Sequence, residues 1–309
     1  MAWDAIIGVF DQRGTAMSSI PCTLEKTLDT LHVLYERYAL EPGVFVKAGL
    51  KPGWNVVIGT QGQCGMAMSF AGRDDVFGRQ QLDVLRLQTF IGKDLFSVVT
   101  AYLKSESWHE RSIGVAAMIA LSQPLMTPHA LSERGFEIAT ENTDFADCLR
   151  PDDVVAIVGY GGGIKRSIGK CLELHVSDLR PREDFQTMLI TDTSIRFVPE
   201  ETTIHRQQDN KEVLSKATAI SITGSALVNG TFDELMSYAK RARLVTVYGG
   251  SAGMIPDELI AAGVHRVFSS RISDPDAFER GMIYDMNMEA VMQSTQTYQA
   301  IRLSASKLA

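Results

Sequence analysis

Ser221-Ile222-Thr223-Gly224-Ser225-Ala226-Leu227-Val228-Asn229-Gly230-Thr231 is the stretch whose reading decides the fold. An apolar run ends in a threonine, a glycine and a serine, as a buried strand opening into a polar loop would. Thr231 stands three residues before Glu234, the spacing of a Thr-x-x-Glu capping box, so a helix is expected to begin there. Strand, loop and helix in succession make the repeating unit of a parallel α/β sheet. In such sheets ligands bind where strand C-termini meet helix N-termini. The stretch says where a site belongs and leaves its occupant open.

The same rhythm extends to both sides. Val154 to Val158, Leu172 to Val176, Leu244 to Tyr248 and Arg266 to Ser269 are further apolar runs, the mark of strands covered on both faces. Helices are expected near Thr231, Pro256 and Pro275, the prolines suiting a first helical turn and Gly263 a helix stop. Residues 182–212 are polar and weakly periodic, an excursion that would flank the site. From Tyr284 the tail reads as helical, with Met286, Met292 and Tyr298 among its apolar residues.

Before residue 150 the pattern differs. Leu24, Leu28, Leu31, Leu34, Tyr35 and Tyr38 recur at helical spacing,. Three short strands follow, Val44 to Ala48, Asn55 to Gly59 and Cys64 to Phe70, punctuated by Pro52-Gly53 and Gln61-Gly62,. Helices are expected over Lys93 to Lys104 and Trp108 to Ser122. The first half is thus an α+β unit and the second a doubly wound α/β unit. The boundary belongs near Asp147 to Asp152, giving domains 1–148 and 149–309.

Composition narrows the function classes. The 309 residues carry a net charge of −7, which disfavours nucleic acid or an anionic membrane as the main partner. Arg180, Arg182, Arg241 and Arg243 could still form a local anion site. No apolar run approaches the ~18 residues of a membrane-spanning helix, and Met1-Ala2-Trp3-Asp4 does not open a signal peptide,. A cytoplasmic location is the expectation, and a homo-oligomer is left open. Cys22, Cys64, Cys148 and Cys171 form no C-x-x-C pair, and the six histidines show no H-E-x-x-H spacing. A disulfide framework or preformed structural metal site is therefore not expected.

Three clusters carry chemistry. Gly159-Tyr160-Gly161-Gly162-Gly163 follows the first apolar strand of the second half, where glycines let backbone N–H groups approach a phosphate. Asp178 lies 19 residues past Gly159, where a ribose-binding acid would sit, although Ile164 stands in place of the third fingerprint glycine,. Either a nucleotide-type cofactor, NAD(P) or S-adenosylmethionine, or a plain glycine turn satisfies this pattern. Ser107-Trp108-His109-Glu110-Arg111 reads as a capping box or as a helix start offering an acid/base pair and a cation. Tyr248-Gly249-Gly250-Ser251 repeats the Thr223-Gly224-Ser225 logic one strand later. Two neighbouring strand ends with such loops point to a shared pocket for small polar or anionic groups.

These residues also carry a resemblance. Ser-Trp…Glu-x-Ser-Ile-Gly-x-Ala-Ala over Ser107 to Ala117, the glycine-bearing first strand, Ile222 to Thr231 and Gly249-Gly250-Ser251 occur together in order. The combination, over roughly residues 20–285, resembles the heavy-metal chelation domain family, a domain of unknown function. The resemblance implies an enolase N-terminal-like domain followed by a Rossmann-like domain, with an active site between them and a role in handling heavy metals or their chelates. Carried over, the matching positions are Glu110, Gly159, Thr223, Gly224, Ser225, Asn229 and Ser251. The chain departs from the family where Gly159-Tyr160-Gly161-Gly162 replaces Gly-His-Phe-Pro and where Ile119 replaces an asparagine. Both changes would fall near the cleft.

The expectation is an interdomain cleft that binds or processes a small metal-chelating metabolite or metal complex. Glu110 would act as acid/base or metal ligand. Gly159, Gly161, Gly162, Asp178, Thr223, Gly224, Ser225, Asn229, Gly250 and Ser251 would hold the ligand, while Thr231 caps its helix. The rivals are an enzyme using a nucleotide-type cofactor and a non-catalytic partner in metal transport or biosynthesis. Whether a reaction is catalysed, and which metal is involved, the residues alone leave open.

Overall fold

A computed structural model describes residues 22–141, 143–161, 163–284 and 287–304. The first described element is a helix, Cys22–Arg37, followed by an antiparallel meander of β1 (Phe45–Lys51), β2 (Trp54–Gly59) and β3 (Cys64–Met68). Gly53 and Gly62 make its turns at φ of +88° and +74°, a region glycine enters without a Cβ penalty. The helices Leu95–Tyr102 and Trp108–Ser122 pack on this meander.

Trp108–Ser122 is buried along its whole length from Arg111 onward. A helix apolar on every side belongs in a core, not on a surface, and small residues let its neighbours close in. A Cβ on Gly65 of β3 would lie 1.9 Å from the Ala116 carbonyl oxygen, and one on Gly114 would lie 2.8 Å from the Leu103 nitrogen. The same core cluster continues into the second half through Ile220, Ile222, Val245 and Val247.

The second sheet has eight strands. They are β4 (Phe136–Ile138), β5 (Val154–Val158), β6 (Glu173–Asp178), β9 (Thr203–Arg206), β10 (Ala219–Thr223), β11 (Leu244–Tyr248), β12 (Arg266–Ile272) and β13 (Gln296–Leu303), while β7 (Thr187–Ile190) and β8 (Ile195–Val198) form a separate hairpin. The spatial order is β4-β13-β12-β11-β10-β5-β6-β9. The pairs from β9 to β12 are parallel, and those from β12 through β13 to β4 are antiparallel. Counted along the chain, the six parallel strands stand in the order 3-2-1-4-5-6, the doubly wound arrangement that reverses direction between its first and fourth strands. Here those strands are β5 and β10.

Alternate residues enter opposite cores. Ala156, Ile220 and Val247 join the cluster shared with the first half, whereas Val155, Ile157 and Ala219 join a second one. Burial on both faces is why β5, β10 and β11 occupy the residues their apolar runs define.

Two expectations change. The tail is helical only over Met288–Thr295, after which β13 inserts between β12 and β4. Met292 is in that helix, Tyr298 lies in the strand, and Met286 lies outside the described residues. The run Thr295-Gln296-Thr297-Tyr298, with two threonines and a tyrosine, suits a strand once two neighbours offer it ladders. The excursion at 182–212 holds the β7–β8 hairpin and β9, which adds to the sheet beside β6. Strand β9 buries one apolar residue, Ile204, too little to show periodicity. Among the described residues no helix is long and apolar enough to cross a membrane.

At the opposite end of the sheet from the strand C-termini, Asp153 pins three strand starts. Its Oδ1 accepts from Thr218 Oγ1 at 2.7 Å and Arg243 Nε at 3.0 Å; its Oδ2 accepts from the Arg150 amide at 2.7 Å and from Arg243 Nη2. Arg243 is therefore spent here and does not join an anion site with Arg180. Burial alone would raise the Asp153 pKa, but the bonds from Arg243, Thr218 and the Arg150 amide outweigh it and hold it low. The carboxylate thus stabilises the fold above the unfolded pKa near ~4 and loses that effect as pH falls through the lower folded value. Asp153→Ala should cost about 3 kcal/mol in urea unfolding at pH 7 by stranding Arg243. The difference from wild type should shrink in melts below about pH 4.

Candidate functional site

The C-terminal ends of β5, β6, β10 and β11 open into one cleft of about 380 Å³. It lies where the strand order reverses, so the connections leaving β5 and β10 diverge and leave a crevice between them. The first half supplies the facing wall, with Trp54, Met68, Phe70 and Phe77 as its apolar part and Arg73 at its rim. Arg73 reaches Asp75 and Asp184 at 3.1 Å, tying that wall to the segment after β6.

Gly159 turns the chain at the end of β5 with φ of +88°. A Cβ there would also lie 2.7 Å from Thr223 Cγ2, so the position requires glycine for two reasons. The Tyr248 hydroxyl donates to the Gly159 carbonyl at 2.6 Å. Burial holds its pKa well above the ordinary phenol value, so Tyr248 is a neutral hydrogen-bonding group at neutral pH and not a base.

Asp178 lines the cleft but is already engaged. Its Oδ1 accepts from the backbone amide and Nε of Arg180 at 2.9 Å each. Its Oδ2 accepts from the Tyr160 amide at 2.7 Å and Arg180 Nη2 at 2.9 Å. Those charge-assisted bonds hold the Arg180 pKa above its ordinary value,. Tyr160 stacks on Phe185 with centroids 4.2 Å apart, and the Arg180 guanidinium lies 4.6 Å from the same ring. With four N–H groups on two oxygens, Asp178 organises the glycine turn and has little left to offer a ribose.

The opening stretch folds differently from its reading. No loop follows β10; a short helix, Ser225–Asn229, begins almost at once and ends at Gly230 with φ of +82°. That turn brings Asn229 within reach of Thr231, whose amide and hydroxyl both donate to Asn229 Oδ1 at 3.1 and 2.8 Å. The next helix, Phe232–Tyr238, therefore has Thr231 at its start without a side-chain cap, and Glu234 accepts from Tyr238 instead. The capping box is replaced by an Asx turn. Thr223 Oγ1 donates to Ser225 Oγ at 3.3 Å and accepts from the Ser225 amide at 3.4 Å. Both are long, and the Ser225 hydroxyl proton and the Asn229 amide N–H groups meet no acceptor among the described residues.

Of the expected ligand-holding residues, Gly159, Asp178, Thr223, Ser225, Asn229, Gly250 and Ser251 line this cleft. Ser251 is buried and accepts from the Met68 amide at 2.9 Å, so it also ties β3 to the β11 turn. Gly161 and Gly224 are not at the lining. A Cβ on Gly224 would lie 2.6 Å from the Ala252 nitrogen, and one on Gly161 would lie 3.0 Å from Tyr248 Cε2, so both serve close packing. Gly162 lies outside the described residues.

Glu110 is placed elsewhere. Its carboxylate accepts from Ser105 Oγ at 2.7 Å and the Asp83 amide at 3.3 Å, and lies 3.7 Å from Arg86. It braces the segment before the helix that Ser107 caps. Arg111, its neighbour, crosses to the second half and donates to the Val228 carbonyl at 3.2 Å, anchoring the C-terminal end of the helix that carries Ser225 and Asn229. Burial lowers the Arg111 pKa. Ile119 packs in the shared core, with its Cγ2 3.3 Å from where a Gly253 Cβ would lie, and does not line the cleft.

Sequence reading missed the aromatic wall and the hydrogen-bonding role of Tyr248, while Arg180, expected at a local anion site, is paired with Asp178 instead. A tyrosine closing the apolar run just before Gly249-Gly250 was a usable signal. Nothing local marks Phe70, which sits at φ of +57°. Among the described residues no group of three histidines, cysteines, aspartates or glutamates could hold a metal ion. None of the four cysteines, all free, lines the cleft. The arrangement can bind, orient and enclose a small molecule through uncommitted hydroxyl and amide groups facing an aromatic wall.

Two family models match the chain, both described as "Putative heavy-metal chelation", one over residues 38–122 and the other over residues 141–291. An uncharacterized protein of Methanocaldococcus jannaschii is 24% identical over 167 residues, 54% of this chain. The chain spans about half of that curated relative, 56% of its length. A crystal structure of a family member of unknown function from Pyrococcus horikoshii aligns with TM-score 0.65 at 19% identity, over 91% of this chain and 99% of that one. Another, from Desulfitobacterium hafniense, aligns with TM-score 0.66 at 15% identity, over 90% and 98%. At such identities the structural likeness concerns the fold.

Gly159→Ala should destabilise the protein by about 2 kcal/mol, combining a positive-φ penalty with the clash against Thr223. A thermal melt checks it, with Gly163→Ala, where a Cβ meets nothing within 4 Å, as the near-neutral control.

Proposed function

Because the chain belongs to the heavy-metal chelation family, we propose that its cleft binds a small metal-chelating metabolite or that molecule's metal complex. The observation that carries this reading is the composition of the two walls. Trp54, Phe70 and Phe77 offer flat apolar surface, and Ser225 and Asn229 offer neutral donors across from it. Such a pair of walls suits an organic molecule with a body to enclose and oxygen or nitrogen groups to orient.

A bare thiophilic metal does not fit the same walls. It would require thiolate or imidazole ligands, and the cleft contains neither. The metal is therefore cargo that arrives within its chelator. The chain's own residues position the molecule. Ser225 and Asn229 donate to it, Tyr248 and Asp178 keep the glycine turn in place, and the aromatic wall excludes water.

A nucleotide cofactor is the rival reading, favoured by the position of the cleft at the strand-order reversal. Against it stands Asp178, whose oxygens are occupied by Arg180 and Tyr160.

Calorimetry separates the two. Nitrilotriacetate and citrate, alone and as nickel(II) or iron(III) complexes, should bind more tightly than the bare ions. Ser225→Ala and Asn229→Ala should each weaken binding by about 1 kcal/mol, roughly fivefold, the net worth of one hydrogen bond. The reading fails if the bare ions bind as well as the chelates. It also fails if NAD, NADP, S-adenosylmethionine or ATP binds while every chelate is silent.

A further inference from the structure

The shape of the cleft favours a flat occupant. One wall carries Trp54, Phe70 and Phe77, and across from it Gly159, Gly249 and Gly250 put backbone where side chains would otherwise stand. Gly249 has φ of +97°, and a Cβ there would meet no atom within 4 Å, so the space beside it is open. A Cβ on Gly250 would lie 3.4 Å from Trp54 Cζ3, so the two walls converge at that point. The enclosed volume, about 380 Å³, is near the lower end of the ~300–1,000 Å³ usual for ligand pockets.

The aromatic wall is set before anything binds. Phe70 has φ of +57°, a region that bulky residues rarely enter. Its ring is held between those of Phe77 and Trp108, with centroids 5.1 Å away on each side and interplanar angles of 87° and 65°. Residues kept in such conformations collect at ligand clamps, and a wall already in place costs little ordering on binding.

Charge supplies an independent observation. The charged side chains that line the cleft are Arg73, Asp178 and Arg180. Arg73 pairs with Asp75 and Asp184, and Arg180 pairs with Asp178. Among the described residues lining the cleft, no cation is left over to neutralise a polyanion, and enclosing unpaired charge is costly.

We infer that the ligand is a planar aromatic chelator of low charge, a heteroaromatic or phenolic ring whose neighbouring nitrogen and oxygen atoms hold the metal. This deepens the proposed chelator-binding reading and rests on it. The ring lies between the aromatic wall and the glycine backbone, and its oxygen atoms accept from Ser225 and Asn229. A divalent metal cancels most of the charge of such a chelator, so the complex enters without needing a protein cation. Nitrilotriacetate and citrate complexes fit the same site less well, ranking above the bare ions and below flat chelators.

Three ring acids separate flatness from chelation. Picolinate is flat and chelates through its nitrogen and carboxylate. Pipecolate has the same donor atoms on a saturated, puckered ring. Nicotinate is flat, but its nitrogen is too far from the carboxylate to close a chelate ring. Each is titrated calorimetrically into the intact protein with nickel(II). Nickel(II)–picolinate should bind at least about fivefold more tightly than nickel(II)–pipecolate. Phe77→Leu keeps apolar surface and removes a ring, so it should weaken nickel(II)–picolinate about three- to tenfold, the effect of one aromatic contact, and leave nickel(II)–pipecolate unchanged. Trp54→Leu should do the same, with thermal melts confirming that both variants fold. Equal affinity for the picolinate and pipecolate complexes, or losses shared equally by both in the variants, overturns the aromatic class while the chelator reading stands. Nicotinate binding as tightly as nickel(II)–picolinate supports the flat slot and overturns the chelator reading. If neither pyridine acid binds, the aromatic class falls, and the nickel(II)–nitrilotriacetate titration then decides the chelator reading by itself.

Discussion

Everything in this molecule depends on the burial of one helix. Trp108–Ser122 has no face fit for water, so its apolar surface has to be covered on all sides,. The meander covers one side, at a distance only Gly65 permits, and the end of the helix Leu95–Tyr102 closes on Gly114. The doubly wound half covers another and shares the same core. Each large side chain involved, Ile113, Met118 or Leu121 for example, contributes about 1.5–3 kcal/mol on leaving water. The two halves therefore cannot separate without exposing the centre of the core, and the cleft between them has a fixed geometry. Polar ties refine it. Arg111 reaches the Val228 carbonyl, Ser122 Oγ accepts from the Ile255 amide at 3.1 Å, and Ser251 accepts from the Met68 amide.

Within that frame the charged groups at the cleft serve architecture, as do Tyr248 and Ser251, while Ser225 and Asn229 keep donors free. Asp178 and Arg180 neutralise each other while holding the turn after β5. Tyr248 stays protonated, and Glu110 braces the segment that precedes its helix. What faces the cavity is aromatic surface on one side and hydroxyl or amide groups on the other. Such a surface recognises shape and hydrogen-bonding pattern more than charge.

Some of this was legible in the sequence for a physical reason. Strands β5, β10 and β11 are buried on both faces, so their apolar runs are continuous and end where the strands end. Helix Trp108–Ser122 was equally plain, opened by a serine cap. Strand β9 was hidden because one buried residue makes no pattern, and β13 because one of its two partners, β4, is remote in sequence. Among site residues, Thr223, Ser225, Asn229 and Ser251 were readable because strand ends in a parallel sheet face a common crevice. Asp178 was found, but its role was not. The arginine two residues on was visible, yet only the folded turn shows that the pair closes on itself. The aromatic wall could not be read at all, since Trp54, Phe70 and Phe77 meet the strand ends through tertiary packing alone.

The most direct test of the central claim, that the cleft at the strand-order reversal holds a small molecule enclosing a metal, is crystallographic. Protein purified without added chelators from metal-supplemented cells would be crystallised, and diffraction recorded on both sides of the metal's absorption edge. The account predicts an anomalous peak between Phe70 and Ser225, surrounded by density for a non-protein molecule that supplies its coordinating atoms. A metal bound directly by cysteine or histidine side chains away from the cleft would contradict it.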